Sequence, residues 1–182
     1  LTLAGYDAEP GYSEVINTSG NVVNRVVALV NKHGFIDATT ALPTIGNAVV
    51  RSAVVANGRD IWVAGGRNGI RYATRGISKS IAVSEFTGRS LFILGEQLYA
   101  SSTASGYRVV RVGEGLPTTT GQELVNLPGI PDNDGNPYDI YMADLNPLIP
   151  GPDVLYVADQ WSPALSKYSL VDGVWTLNGR IG

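Results

Sequence analysis

Side chains able to do chemistry are few in this chain, and their types limit what it can be. There is one histidine, His33, and no cysteine, which rules out a multi-histidine metal site and all thiolate chemistry and leaves His33 as the one imidazole a triad could use. His33 stands in the turn-like stretch Asn31-Lys-His-Gly34 and reads as an exposed turn residue. Ser78 with Ser80, and Ser101 with Ser102, have neither an adjacent base nor a glycine-flanked elbow, so they read as loop and strand-surface serines. The segment Asp132-Asn-Asp134-Gly-Asn136 sets oxygen-bearing side chains at alternate positions before a glycine, as a calcium loop begins, and makes Asp132 and Asp134 candidate cation ligands. No acidic residue follows at the distal bidentate position, where the chain runs Pro137-Tyr-Asp-Ile-Tyr-Met142, and a turn rich in Asn, Asp and Gly fits better. Asn17-Thr-Ser19 is a single glycosylation sequon with Asn17 as the acceptor. More informative are three pairs that each open an apolar run: Arg51-Ser52, Arg89-Ser90 and Tyr138-Asp139. Guanidinium groups hold carboxylates or phosphates by bidentate hydrogen bonds. The loop Asp159-Gln160-Trp161 adds an aromatic among hydrogen-bonding groups, the chemistry of a sugar or peptide contact.

What positions these groups is a stretch written three times: Asp60-Ile-Trp-Val-Ala-Gly-Gly66, Gln97-Leu-Tyr-Ala-Ser-Ser102 and Asp153-Val-Leu-Tyr-Val-Ala-Asp159. Each is a run of β-branched, aliphatic and aromatic residues that breaks into small or polar ones, as a buried strand ends in a loop. About nine residues after the aromatic, Gly69-Ile-Arg-Tyr72 and Gly106-Tyr-Arg-Val109 continue alike, and Leu165-Ser-Lys-Tyr168 follows after a slightly longer loop. A strand–loop–strand unit recurring at a period of tens of residues in an all-β chain predicts a β-propeller. On this reading Trp62, Tyr99 and Tyr156 take equivalent places on second strands and pack between neighbouring blades. Arg51, Arg89, Tyr138 and Asp139 start the innermost strands and face the central channel near one mouth. They are either the polar lining that a wet channel needs or, with Asp159 and Trp161, a ligand site.

The bulk composition agrees. Gly and Pro number 22 and 10 in 182 residues, suited to many turns, and no long stretch carries helical periodicity uninterrupted. A net charge of −3 with no basic face argues against nucleic acid or an anionic membrane as partner. No apolar run reaches transmembrane length. The sequence opens on Leu1 instead of Met, so a processed or partial product is expected.

Four blades are expected at about 1–46, 47–86, 87–130 and 131–182 in one propeller region covering 1–182. Their strands fall at 1–6, 24–30 and 35–42; at 49–55, 61–64, 70–74 and 79–83; at 89–94, 97–101, 107–112 and 123–127; and at 138–143, 154–158, 165–170 and 174–177. The first blade lacks its innermost strand. Turns at Asn57-Gly58, Asn68-Gly69 and Asp172-Gly173 suit positive φ.

The segments Leu3-Ala-Gly-Tyr-Asp-Ala-Glu-Pro-Gly11, Asn24-Arg-Val-Val27, Val50-Arg-Ser-Ala53, Trp62-Val-Ala-Gly-Gly66 with Ile70-Arg-Tyr-Ala73, and Gly115-Leu-Pro-Thr-Thr119 together resemble a group of secreted, largely uncharacterised bacterial β-propeller proteins. The resemblance covers essentially the whole chain. It implies an extracellular or cell-surface location and a longer propeller, with flanking blades or a protein partner completing it. It brings no catalytic residues. The expectation is a non-enzymatic binding, surface or structural module that needs no cofactor, with a glycan or a small anionic molecule as ligand. The alternative is a metal-dependent propeller hydrolase of the lactonase or phytase type, with Asp139 and Asp144 as metal ligands. Arg51 and Arg89 at the equivalent positions would repel a cation and weigh against it.

Overall fold

The computed structural model describes residues 1–132, 135–161 and 163–182. The fold is all-β and propeller-like, with fifteen strands among the described residues: β1 (Thr2–Tyr6), β2 (Arg25–Val30), β3 (Ile36–Leu42), β4 (Val50–Ala56), β5 (Asp60–Gly65), β6 (Ile70–Thr74), β7 (Ser80–Ser84), β8 (Leu91–Leu94), β9 (Gln97–Ser101), β10 (Val109–Val112), β11 (Leu124–Asn126), β12 (Pro137–Ala143), β13 (Val154–Asp159), β14 (Ala164–Val171) and β15 (Val174–Ile181). Apart from a 3-10 turn at Val15–Asn17 there is no other regular element among the described residues. No helix is long and apolar enough to cross a membrane.

The strands form four antiparallel sheets in which each strand pairs with its neighbour in sequence: β1 to β3, β4 to β7, β8 to β11 and β12 to β15. Short turns impose this up-and-down order. Asn57-Gly58 has φ of 53° and 63° and Asp172-Gly173 has 49° and 79°, the two left-handed residues whose twist matches antiparallel strands. The expected turn at Asn68-Gly69 is built differently. Positive φ falls on Arg67 and Gly69, while the Asn68 side chain donates to the Gly46 carbonyl at 3.1 Å. The first sheet has three strands where the others have four.

The chain divides into two compact units, Leu1–Thr87 with Thr118–Gly121, and Gly88–Pro117 with Gln122–Gly182. In the first, alternate residues of facing sheets make one core: Val27 and Leu42 from the first sheet, and Val50, Ile61, Val63 and Ala73 from the second. In the second unit Tyr99 and Val109 meet Ile140, Met142, Leu155, Val157, Tyr168 and Trp175. Burying side chains of this size stabilises by about 1.5–3 kcal/mol each, which is why strands with period-two apolar patterns stack into sheet pairs.

The three repeated aromatics do sit on second strands, β5, β9 and β13. Trp62 is buried with its ring 5.5 Å from that of Tyr72, and Tyr99 lies in the core of the second unit. Tyr156 departs from the expected packing. It is half-buried on the face opposite Leu155 and Val157, beside Tyr141 at 6.5 Å between ring centroids.

A feature of the first unit has no apolar logic. Arg25 is fully buried at the start of β2. Its Nε and Nη2 donate to the Ala48 carbonyl at 3.2 and 3.0 Å, Nη1 to Val23 O at 2.9 Å and Thr18 Oγ1 at 3.1 Å, and Nη2 to Ile16 O at 3.0 Å. Tyr6 stacks on the guanidinium at 5.2 Å. The loop between β1 and β2 is thereby tied to the approach to β4. Gly20 packs so closely on the Pro43 carbonyl that no Cβ could be accommodated there.

Candidate functional site

In the second unit the heads of β8 and β12 and the end of β9 are laced together. Arg89 N–H donates to Ser101 O at 2.9 Å, and Ser101 N–H to Ser90 O at 3.0 Å. Ser90 N–H reaches Ser101 Oγ at 3.1 Å, and that hydroxyl donates to Tyr138 O at 3.3 Å. Across this seam the Ser90 hydroxyl donates to Asp139 Oδ1 at 2.5 Å, and the same oxygen accepts the Ile140 N–H at 2.8 Å. The Arg89 guanidinium lies over the Tyr138 ring, 5.0 Å from its centroid, a cation–π contact. Three of the residues singled out in the sequence, Arg89, Tyr138 and Asp139, are therefore neighbours.

Asp159 and Trp161 belong to the same end of the last sheet. Pro137 is the register partner of Asp159, so Asp159 lies beside the residue preceding Tyr138. Its carboxylate fastens the loop: Oδ2 accepts the Asn136 N–H at 2.5 Å and Oδ1 the Trp161 N–H at 2.9 Å. Trp161 is 75% exposed and Tyr138 50%. Two exposed aromatic side chains thus stand at this end of the last sheet, Tyr138 beside Arg89 and Trp161 beside Asp159.

The electrostatics are uneven. Asp139 is engaged by Ser90 and Ile140 as above. Arg89 makes no ion pair among the described residues, and its buried Nε has no hydrogen-bond acceptor. An unmet donor on a cation costs about 1–3 kcal/mol or more when buried. An acceptor from outside is the group that would relieve it.

The other candidates fare differently. Arg51 stands in β4 of the first unit, its guanidinium beside Gly66. Asp139 is the third residue of β12 and Asp144 lies just beyond its end, five residues or roughly 17 Å apart along an extended chain, and they do not form one metal site. No group of three or more His, Asp or Glu placed to hold a metal occurs among the described residues. Asp132 is exposed in the segment between β11 and β12, and Asp134 lies outside the described residues. Asn17 is exposed at the end of the 3-10 turn. His33 is an exposed turn residue whose N–H bonds Asn31 Oδ1 at 2.9 Å.

Sequence reasoning missed Asp153, which is buried and accepts the N–H groups of Leu145 and Asn146, and Arg108, buried with Nη1 donating to Ala104 O and Tyr107 O at 2.9 and 2.8 Å. Arg108 also lines a cleft with Pro137, Asp159, Ser166, Tyr168 and Arg180. Its interior of about 30 Å³ has room for little more than a water molecule. The only advance sign of Arg108 was its place in the repeated Gly106-Tyr-Arg-Val109.

No protein-family model matches the chain, and no curated protein matches it significantly. Among solved structures it is similar to a protein of Bacteroides uniformis provisionally named a 6-phosphogluconolactonase, with a TM-score of 0.50 and 12% identity over 87% of this chain and 53% of that one. At that identity the likeness bears on the fold alone. The chain spans about half the length of the structure it matches.

Proposed function

We propose that the chain is a non-enzymatic binding module of a larger extracellular β-propeller or assembly, and that the mouth of its second unit takes a small ligand carrying a carboxylate or phosphate on a sugar-like body. The observation that carries this reading is Arg89: half-buried, stacked on Tyr138, with no ion pair among the described residues and a buried Nε lacking an acceptor. An anionic group meets that guanidinium, and the exposed rings of Tyr138 and Trp161 supply flat surfaces for a sugar. The larger assembly is supported by apolar side chains left in solvent on the end sheets, Leu3 and Ile36 on the first and Tyr141 and Ile181 on the last.

The test is calorimetric titration with gluconate, glucuronate and 6-phosphogluconate against neutral glucose. Binding of an acid and not of glucose is expected, with Arg89→Ala weakening it about tenfold to a hundredfold, since a hydrogen bond to a charged group is worth about 1.5–3 kcal/mol. Arg89→Lys restores only part, because the planar fork is lost. Unchanged affinity in Arg89→Ala moves the site elsewhere.

A second reading, a lactone hydrolase, draws on the fold likeness to the protein named a 6-phosphogluconolactonase. Hydrolysis of 6-phosphogluconolactone above the spontaneous rate, lost in Asp139→Asn, would replace the binding reading.

A further inference from the structure

Three Asn-Gly pairs occur in the chain: Asn57-Gly58, Asn68-Gly69 and Asn178-Gly179. Such a pair carries a slow chemistry of its own. The amide nitrogen of the glycine attacks Cγ of the asparagine, its approach unobstructed because glycine has no side chain. A five-membered succinimide forms as that nitrogen gives up its proton and the Cγ–Nδ2 bond breaks, and ammonia leaves. Water then opens the ring at one carbonyl or the other, giving aspartate or, with the main chain routed through Cγ, isoaspartate. The net change is one water taken up and one ammonia lost, with no oxidant and no cofactor. The unfolded chain offers the three pairs alike, so the fold decides which one reacts.

Their surroundings differ. Asn57-Gly58 lies at the tip between β4 and β5, with both residues exposed and both at left-handed φ. The bond that closes this turn runs from Arg59 N–H to Ala56 O at 3.0 Å and does not involve the Gly58 N–H. No hydrogen bond holds the Asn57 side chain among the described residues, and open space surrounds the place where a Gly58 Cβ would stand. Swinging the Gly58 nitrogen towards Cγ needs only the tip to open, and exposed tips belong to the low end of local opening free energies. Asn68 is half-buried, its Nδ2 donating to Gly46 O at 3.1 Å. Gly69 is buried against Ser84 O, so the same swing has to break a hydrogen bond and lift the chain out of its packing. Asn178-Gly179 lies within β15, where Leu177 and Gly179 pair with Tyr168 and Lys167 and the Ser169 hydroxyl donates to Asn178 Oδ1 at 2.8 Å. Ring closure there has to undo the ladder on β14.

We propose that Asn57 is a site of spontaneous modification in the folded protein, converting to aspartate and isoaspartate ahead of Asn68 and Asn178. The consequence falls on the first unit, where this turn sets the register Ala56↔Asp60, Val55↔Ile61 and Val54↔Trp62. Aspartate keeps the length of the turn and adds a negative charge next to Gly58, whose carbonyl accepts from Arg75 Nη1 at 3.4 Å. Isoaspartate adds a methylene to the main chain and no longer fits a two-residue turn. The chain thus records its age at one fixed place, whatever the mouth of the second unit binds.

The test is to hold the folded protein in mildly alkaline buffer at body temperature, with a second sample unfolded in guanidinium chloride, and to digest both at intervals. Mass spectrometry reads the conversion of amide to acid in each Asn-Gly peptide, and electron-transfer fragmentation separates isoaspartate from aspartate. In the unfolded sample the three sites should convert at similar rates. In the folded one Asn57 should lead Asn68 and Asn178 by about tenfold or more, the factor by which their opening is rarer. The proposal is overturned if Asn68 or Asn178 keeps pace with Asn57 in the folded protein, or if folding slows Asn57 as much as it slows them. A variant supplies an independent readout. Asn57→Gly leaves a Gly-Gly tip that suits the same left-handed turn, so it should fold as before and lose most of the early ammonia release; release at the original rate would also overturn the proposal.

Discussion

Replacing Arg25 with Met tests whether a buried cation can be essential without a carboxylate. Met preserves much of the side chain's volume while removing the charge and every donor. Arg25 bonds Ala48 O through two nitrogens, Val23 O, Ile16 O and Thr18 Oγ1, and it forms no ion pair among the described residues. The substitution therefore strands three carbonyls near the wall of the core. Each unsatisfied buried acceptor costs about 1–3 kcal/mol, and partial hydration of the loop returns some of that. The expected loss is about 3–5 kcal/mol, a large share of the 5–15 kcal/mol that holds an ordinary domain together. Arg25→Lys retains the charge but one ammonium cannot reach carbonyls lying in three directions, so a loss of about 2–3 kcal/mol is expected for it. Urea titration measures both, and limited proteolysis of the 13–23 loop reports the local effect. A loss below about 1 kcal/mol in Arg25→Met would mean that water serves those carbonyls equally well and that the clamp reasoning is wrong.

Trp62→Ala should cost about 3–5 kcal/mol in the same titration, and Tyr156→Ala, on a half-exposed face, about 1–2 kcal/mol at most; equal losses would mean that something covers the Tyr156 face. Asp37 is held low, from 3.8 to about 2, by the side-chain and backbone hydrogen bonds of Thr39 and then by Arg75. Because the folded value lies below the unfolded one, its contribution is complete above pH 3.8 and is lost as pH falls towards about 2. A carboxyl chemical-shift titration should give a midpoint near 2, and Asp37→Asn should flatten the stability profile in that window; a midpoint at 3.8 would contradict the geometry.

The strands were legible because each is a local pattern. Val50 to Ala56 and Gln97 to Ser101 announce themselves by β-branched and aromatic content, and Asn57-Gly58 and Asp172-Gly173 by the φ they need. That the first sheet has fewer strands than the others also followed from counting runs. The pairing of Ser90 with Asp139, 49 residues apart, was visible only as far as both heading equivalent strands. Nothing in composition or period marks Arg25 as buried, since its partners are main-chain carbonyls, which look alike in every sequence. Asp153 escaped for the same reason, as its partners are the N–H groups of a loop. Tyr156 stands in the same pattern of apolar and small residues as Trp62 and Tyr99, yet burial depends on what faces the side chain, and a repeat does not reveal that. Asp144 was paired with Asp139 because both belong to one run; the extended backbone of β12 carries Asp144 away from Asp139.

The way Arg25 is neutralised separates it from the other charged fastening of the first unit. Arg75 and Asp37 meet at a solvent-exposed rim, where dissolved counter-ions weaken the attraction and protons can remove one partner altogether. Around Arg25 the compensating negative ends are peptide dipoles, which do not titrate, and the guanidinium is closed off from any ion that could compete. Brine or acid should therefore loosen the β3 rim while the 13–23 loop stays in place, giving one small unit two latches of opposite sensitivity to the medium around it.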